Sequence, residues 1–328
     1  MKEETKKLSI FLLIAFGIPY LMGIPIYLLY KEDINLTAFA SAQTFYPAAG
    51  VILLQVIYYW KELPMPKKFY ISYLLLTAMM LGNSLLLFLT RAEESNTICN
   101  EIILIGSMVL GTCYLMESKE TKDLHKISGR CWKHTCFLIG VFIVLFTLRV
   151  IINGIYYHSN VSINIMYLIM LPALFFTMFP VFFGEEYGWR VYLQPILMKH
   201  FGKKRGIILF GVLWGIWHLP LDLFYYMPEI KLLSVLYHQV TCITLGIFLG
   251  YVYTKTRNIW GCMWIHFLNN TMPSIFVVAD GKMNNVLVIS DVMWGLLINS
   301  ILFLPFLCSK EFRKESNQLT DIRLGKRR

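Results

Sequence analysis

Two adjacent glutamates and an arginine, Glu185-Glu186-Tyr187-Gly188-Trp189-Arg190, stand in the middle of apolar sequence. Ionisable groups are costly inside a membrane, so such a cluster marks a functional site by default. On a helix, Glu186 and Arg190 are i and i+4 and can meet as an ion pair. Glu185 projects about 100° away and cannot share that arginine equally. One carboxylate is thus expected to be neutralised and structural, the other left for chemistry. The bland alternative is a polar knot that pins helices together. Two further clusters follow: His218 in Trp214-Gly215-Ile216-Trp217-His218-Leu219-Pro220, and His266 with Asn270 in His266-Phe267-Leu268-Asn269-Asn270. The i, i+4 spacing places the second imidazole and an amide on one helix face. Each of these taken alone could be a hydrogen-bonded packing residue.

The elements that must position these residues are membrane helices. Of 328 residues, 57% are hydrophobic and only 15% charged, where a soluble domain carries roughly a quarter charged. Apolar runs long enough to cross a bilayer core of about 30 Å recur along the whole chain. The expected fold is all-α, a polytopic bundle of about ten spans: 8–30, 37–60, 69–90, 98–116, 135–157, 163–184, 206–220, 232–253, 258–277 and 286–308. Basic residues test that list independently. The N-terminal tail (Lys2, Lys6, Lys7), Lys61 to Lys68, Lys119 to Lys133, Lys199 to Arg205, Lys255 with Arg257, and the tail from Lys310 are rich in them. The alternate connections hold only Lys31, Arg91, none, Lys231 and Lys282. That alternation predicts both termini in the cytoplasm.

The stretch from Ser162 to His200 is too long for one straight crossing, so the chain is expected to kink or run obliquely, with Pro180, Gly184, Gly188 and Pro195 as places to do so beside the glutamates. Residues 1–160 read as five helices without a chemical motif, 161–308 as the catalytic core and 309–328 as a basic cytoplasmic tail. His218 lies about 12 residues, roughly 18 Å, from its cytoplasmic end, and His266 roughly 12 Å from its own. The glutamates can reach a similar depth. All three clusters are therefore expected in one cavity in the cytoplasmic half of a multi-pass plasma-membrane protein, bacterial in its short loops.

The net charge of +10 sits in short clusters between apolar runs, with no aromatic interleaving, which excludes nucleic acid as a partner. The lipid bilayer and a peptide or membrane-protein substrate are the partners expected. The run from Leu8 is too long for a signal-peptide core. Seven scattered cysteines form no C-x-x-C knuckle and read as packing residues. Glu101, Arg149, Asp222, His238, Gln239 and Asp291 read as cavity lining or mutual partners.

Glu185-Glu186-x-x-x-Arg190, Trp214-x-x-x-His218 and His266-x-x-x-Asn270, in that order, resemble the CAAX protease and bacteriocin-processing family of intramembrane proteases, over residues 180–275. Two departures are mild: Trp214 stands where phenylalanine is usual, and Val191 where glycine is common. The resemblance implies a membrane peptidase in which Glu185, helped by His218, activates water. His266 and Asn270 then hold the oxyanion, and Glu186 with Arg190 keeps the site in shape. It equally permits a zinc mechanism with Glu185, His218 and His266 as ligands. Two other classes fit the buried charges. One is a transporter or channel, which usually shows two related halves. The other is a bacteriocin self-immunity protein that keeps the fold.

Overall fold

The computed structural model describes residues 2–61, 65–117, 130–278 and 289–313. The expected loop charges Lys119, Lys122, Lys126 and Lys282, and most of the basic tail, lie outside those residues. The protein is an all-α, polytopic membrane bundle. Among the described residues, eight helices are long and apolar enough to span a bilayer: α1 (Glu3–Lys31), α2 (Thr37–Tyr59), α3 (Lys67–Thr90), α4 (Glu94–Met116), α5 (Cys131–Tyr156), α6 (Ile165–Phe201), α9 (Pro228–Thr256) and α11 (Ile289–Cys308). Between them lie a bent pair, α7 (Lys203–Trp217) and α8 (Leu219–Tyr226), and the 13-residue α10 (Ile259–Thr271). Each run expected to span therefore contains a described helix, but α10 covers only about 20 Å.

The apolar run 258–277 does not continue as helix to its end. After Thr271 the chain tightens into a short 3-10 turn and then enters strand β2 (Phe276–Val278). This strand pairs antiparallel with β1 (Val161–Ile163), Ser162 opposite Val277. The ribbon was not expected. Its β-branched residues fit a pleat at least as well as a helix, and an apolar run alone does not separate the two.

The irregularity expected in α6 lies inside one continuous helix. Its 37 residues run on without a break, about 55 Å of helix. Pro172 and Pro180 lie inside the α-helical part. The irregularity is a π-helical stretch, Tyr187–Leu193, directly after the two glutamates. The wider turn keeps the ladder intact while re-aiming side chains, which is where π-bulges tend to occur. Close packing holds it: α6 lies against α2, α4 and α10. A Cβ on Gly184 would strike the Thr44 carbonyl and the Tyr73 hydroxyl, and one on Gly188 the backbone of Pro47. Only glycine lets α2 approach this closely.

The bend between α7 and α8 is 42° and follows from Pro220, which has no N–H for the Ile216 carbonyl. The hydroxyl of Tyr20 on α1 donates to that carbonyl at 2.7 Å. The Gln43 amide on α2 donates to the Trp217 carbonyl at 3.0 Å. Two helices from the N-terminal part thus satisfy the backbone that the bend frees. α7 lies along α9. α9 ends at Arg257, in a left-handed conformation, and the Asn258 side chain then caps α10 by accepting from the Trp260 N–H. This tight connection sets α10 beside α9.

At the chain end of α1, Glu32 accepts two bonds from Arg91, at 2.8 and 2.9 Å. That guanidinium holds the exposed Glu32 carboxyl below its ordinary range. The alternation of basic connections predicts that this clamp faces away from the cytoplasm. Alkaline phosphatase fused at Asp33 or Ser159 should therefore be active, and fused at the C-terminus inactive. Activity at the C-terminus would overturn the orientation.

Candidate active site

Glu185, Glu186 and Arg190 come from α6, His218 from the α7–α8 bend, and His266 and Asn270 from α10. Glu186 and Arg190 are each 0% exposed. Arg190 Nε donates to Glu186 Oε2 at 2.7 Å. Its Nη1 donates to Gln194 Oε1 at 3.1 Å and to the Gly246 carbonyl at 3.3 Å. The guanidinium also lies 4.4 Å from the ring centre of Phe210 and 5.5 Å from that of Trp214. Here the i, i+4 pair forms across the first residues of the π-helical stretch.

The other oxygen of Glu186 has a partner that spacing alone did not foresee. His266 Nδ1 lies 2.9 Å from Glu186 Oε1. Glu186 therefore ties α6 to α10 as well as to its own arginine. Glu185 makes neither contact. Its Oε2 accepts the Trp214 indole N–H at 2.9 Å, a bond that the phenylalanine usual at this position could not make. The departure from the motif thus supplies a donor to the free carboxylate.

The bend places His218. Its backbone N–H bonds to the Gly215 carbonyl at 3.0 Å, one residue nearer than an α-helix requires. That leaves the Trp214 carbonyl for His218 Nδ1, at 2.8 Å. A carbonyl only accepts, so Nδ1 carries the hydrogen and Nε2 holds the lone pair. The same logic applies to His266, whose Nδ1–H faces the Glu186 carboxylate.

Glu185, His218, His266 and Asn270 line one cavity of about 590 Å³, whereas Glu186 and Arg190 lie behind its wall. The Asn269 amide N–H donates to Asn270 Oδ1 at 3.1 Å, which leaves the exposed Asn270 amide nitrogen as a donor. The separation of one structural and one available carboxylate, read from i, i+4 spacing, is present as geometry.

Zinc ligation by Glu185, His218 and His266 fits in donor type, and both imidazoles are anchored through Nδ1 as metal-bound histidines usually are. The spacing does not fit. Among the described residues, the group of metal-binding side chains whose ligand atoms all lie within 4.8 Å of one another is His218, His238 and Cys242. Glu185 and His266 stand outside it. His238 and Asp222, read as possible mutual partners, do pair: His238 Nδ1 lies 2.7 Å from Asp222 Oδ1. Cys242, read as packing, lies one turn along α9 from His238. The i, i+4 spacing of His238 and Cys242 was the available signal. Arg149 donates to Asn299, Asp291 accepts from Tyr157, and Gln239 reaches the Gly211 and Val212 carbonyls. None of these lines the cavity.

A family model described as type II CAAX prenyl endopeptidase Rce1-like matches residues 167–272, a segment that contains all six motif residues. That match supports the CAAX protease and bacteriocin-processing family over this segment. CAAX prenyl protease 2 of Methanococcus maripaludis is 27% identical over 134 residues, which is 39% of this chain. The match spans about half, 46%, of that relative's length. No solved structure matches. In CAAX-family terms the matched segment is α6 to α10, and α1 to α5 contribute the contacts that hold it, such as Phe11 and Phe16 against Trp189.

Proposed function

We propose that the chain is an intramembrane endopeptidase that hydrolyses a peptide bond in a membrane-associated, prenylated or peptide substrate. Residues 161–308 carry the chemistry and residues 1–160 support it. One observation carries this reading: Glu185, His218, His266 and Asn270 converge from three separate segments on one cavity, while the remaining carboxylate is committed to Arg190 behind it.

In this reading a water held between Glu185 and His218 Nε2 gives a proton to the carboxylate as its oxygen attacks the scissile carbonyl. Trp214 keeps Glu185 Oε2 occupied, which directs the proton to the other oxygen. Glu185, Glu186 and Arg190 together carry one negative charge, which a proton on His266 neutralises. His266 Nε2–H and the Asn270 amide then donate to the oxyanion of the tetrahedral intermediate. As the C–N bond breaks, Glu185 returns its proton to the leaving amine. The alternative is a zinc ion held by Glu185, His218 and His266, which would supply a Lewis acid for the carbonyl and an activated water. The spread of those three ligand atoms supports the metal-free version.

Asn270→Ala is expected to lower single-turnover cleavage of a farnesylated CAAX peptide by about 10²–10³, the range for one oxyanion donor. Protein stripped with a chelator should keep its turnover. Loss of turnover on stripping, restored by one zinc per chain in the wild type but not in His266→Ala, would overturn the metal-free version.

A further inference from the structure

Three groups beside the cavity are not used by this mechanism: Asp222, His238 and Cys242. His238 and Cys242 sit one turn apart on α9, Asp222 follows the bend, and all three line the same cavity as His218. The imidazole rings of His218 and His238 have their centres 4.2 Å apart. Cys242 Sγ lies 3.7 Å from His218 Nδ1. Asp222 is 1% exposed and Cys242 2%, so this polar cluster is set into the protein rather than spread on its surface.

We propose that His218, His238 and Cys242 form an inhibitory site for a zinc-type divalent ion. The donor set is two nitrogens and one sulfur, the mixture a borderline-soft ion such as Zn²⁺ prefers over hard, oxygen-seeking cations. The ligand atoms already lie within 4.8 Å of one another, so little rearrangement is required. Asp222 is a positioning residue. Through its 2.7 Å contact with His238 Nδ1 it orients that ring and leaves Nε2 to coordinate, the usual carboxylate partner of a metal-bound histidine. Charge also balances: the Cys242 thiol gives up its proton to solvent as the ion binds, and thiolate plus Asp222 carboxylate offset the two positive charges.

The consequence for activity rests on the function proposed above. A neutral imidazole has one nitrogen with a lone pair. Whichever nitrogen of His218 coordinates, that lone pair is consumed, and the ring can no longer take part in activating water. The ion would therefore switch the enzyme off without touching Glu185. A site that uses His218 but excludes Glu185 and His266 is opposite in sign to catalytic zinc: one adds activity, the other removes it.

The test uses full-length, chelator-stripped protein in detergent, titrated with Co²⁺ as the probe. Wild type should bind one ion per chain and develop a thiolate-to-cobalt charge-transfer band. Glu185→Gln, whose changed side chain is not among the three ligands, should bind identically. Cys242→Ser should lose the band, and Asp222→Asn should keep it while weakening affinity about 10–100-fold. In a parallel assay, stoichiometric Zn²⁺ should inhibit wild-type cleavage and leave the ratio of activity with and without zinc near one in Cys242→Ser. Absence of a charge-transfer band in wild type overturns the site, whatever the variants do. A band that survives Cys242→Ser, or ion binding lost in Glu185→Gln, overturns it equally. If no substrate is cleaved, the peptidase reading fails, and the cobalt spectra still decide the site.

Discussion

Glu185→Gln should reduce cleavage by about 10²–10⁴, the contribution typical of a general base, without reducing the amount of folded protein. The substitution is nearly isosteric. An amide oxygen can still accept the Trp214 indole N–H that now reaches Glu185 Oε2, so the side chain should stay in place. What it loses is the ability to take a proton from water. Glu185 makes no ion pair with Arg190, so its charge is not required to neutralise that guanidinium. Chain yield, monodispersity in detergent and thermal midpoint should match wild type. Full turnover in Glu185→Gln would remove Glu185 from the chemistry.

Glu186→Gln should act in the opposite way, on the folded state first. Arg190 is 0% exposed, and its one ionic partner among the described residues is Glu186. Removing that charge leaves a cation in the interior, and breaking such a pair typically costs about 3–5 kcal/mol. Total stabilities run about 5–15 kcal/mol, so a large share of folded protein should be lost. The remaining bonds of Arg190 to Gln194 and the Gly246 carbonyl are to neutral groups and cannot neutralise it. The diagnostic partner is the double variant Glu186→Gln with Arg190→Met. It removes both charges, keeps an amide oxygen for His266 Nδ1, and should recover a substantial part of the lost stability. Thermal unfolding and the yield of monodisperse protein read this out. A double variant no more stable than Glu186→Gln alone would show that the ion pair is not the source of the loss.

The contrast between these two neighbours was legible in sequence, because helical periodicity alone sends residues 185 and 186 in different directions. The convergence of His218, His266 and Asn270 with Glu185 was legible from depth arithmetic along each span. Other features were not, for identifiable reasons. Gly184 and Gly188 mark the irregular part of α6, but that they also admit α2, and that the irregularity is a π-helical stretch, depends on contacts distant in sequence. The end of α10 was hidden because Phe276, Val277 and Val278 are as apolar as a helix interior. The tie between His266 and Glu186 joins residues 80 positions apart, beyond any local spacing rule. The Trp214 bond to Glu185 was visible only as a departure from the phenylalanine usual there. Cys242 is hidden in the sequence because it belongs to no C-x-x-C knuckle; its neighbours are two histidines, one of them outside its own helix.

The charges of α6 itself fall into two systems. Glu186, Arg190 and Gln194 tie that helix to α9 and α10 and keep the bundle closed around the site. Glu185, supported from α7 by Trp214, faces the cavity. The cavity is lined both by apolar side chains such as Val181, Phe182 and Leu245 and by the polar groups, which suits a peptide bond presented from the bilayer. A transporter reading would need the same carboxylate to load and release a proton or solute rather than to break a bond.

Quantitative analysis of new peptide termini in membranes expressing wild type or Glu185→Gln at equal abundance decides between bond breaking and transport. The account predicts at least one membrane-protein or lipidated-peptide fragment that is generated by wild type and absent with Glu185→Gln. Identical sets of termini in the two membranes, across the substrates present, would contradict it.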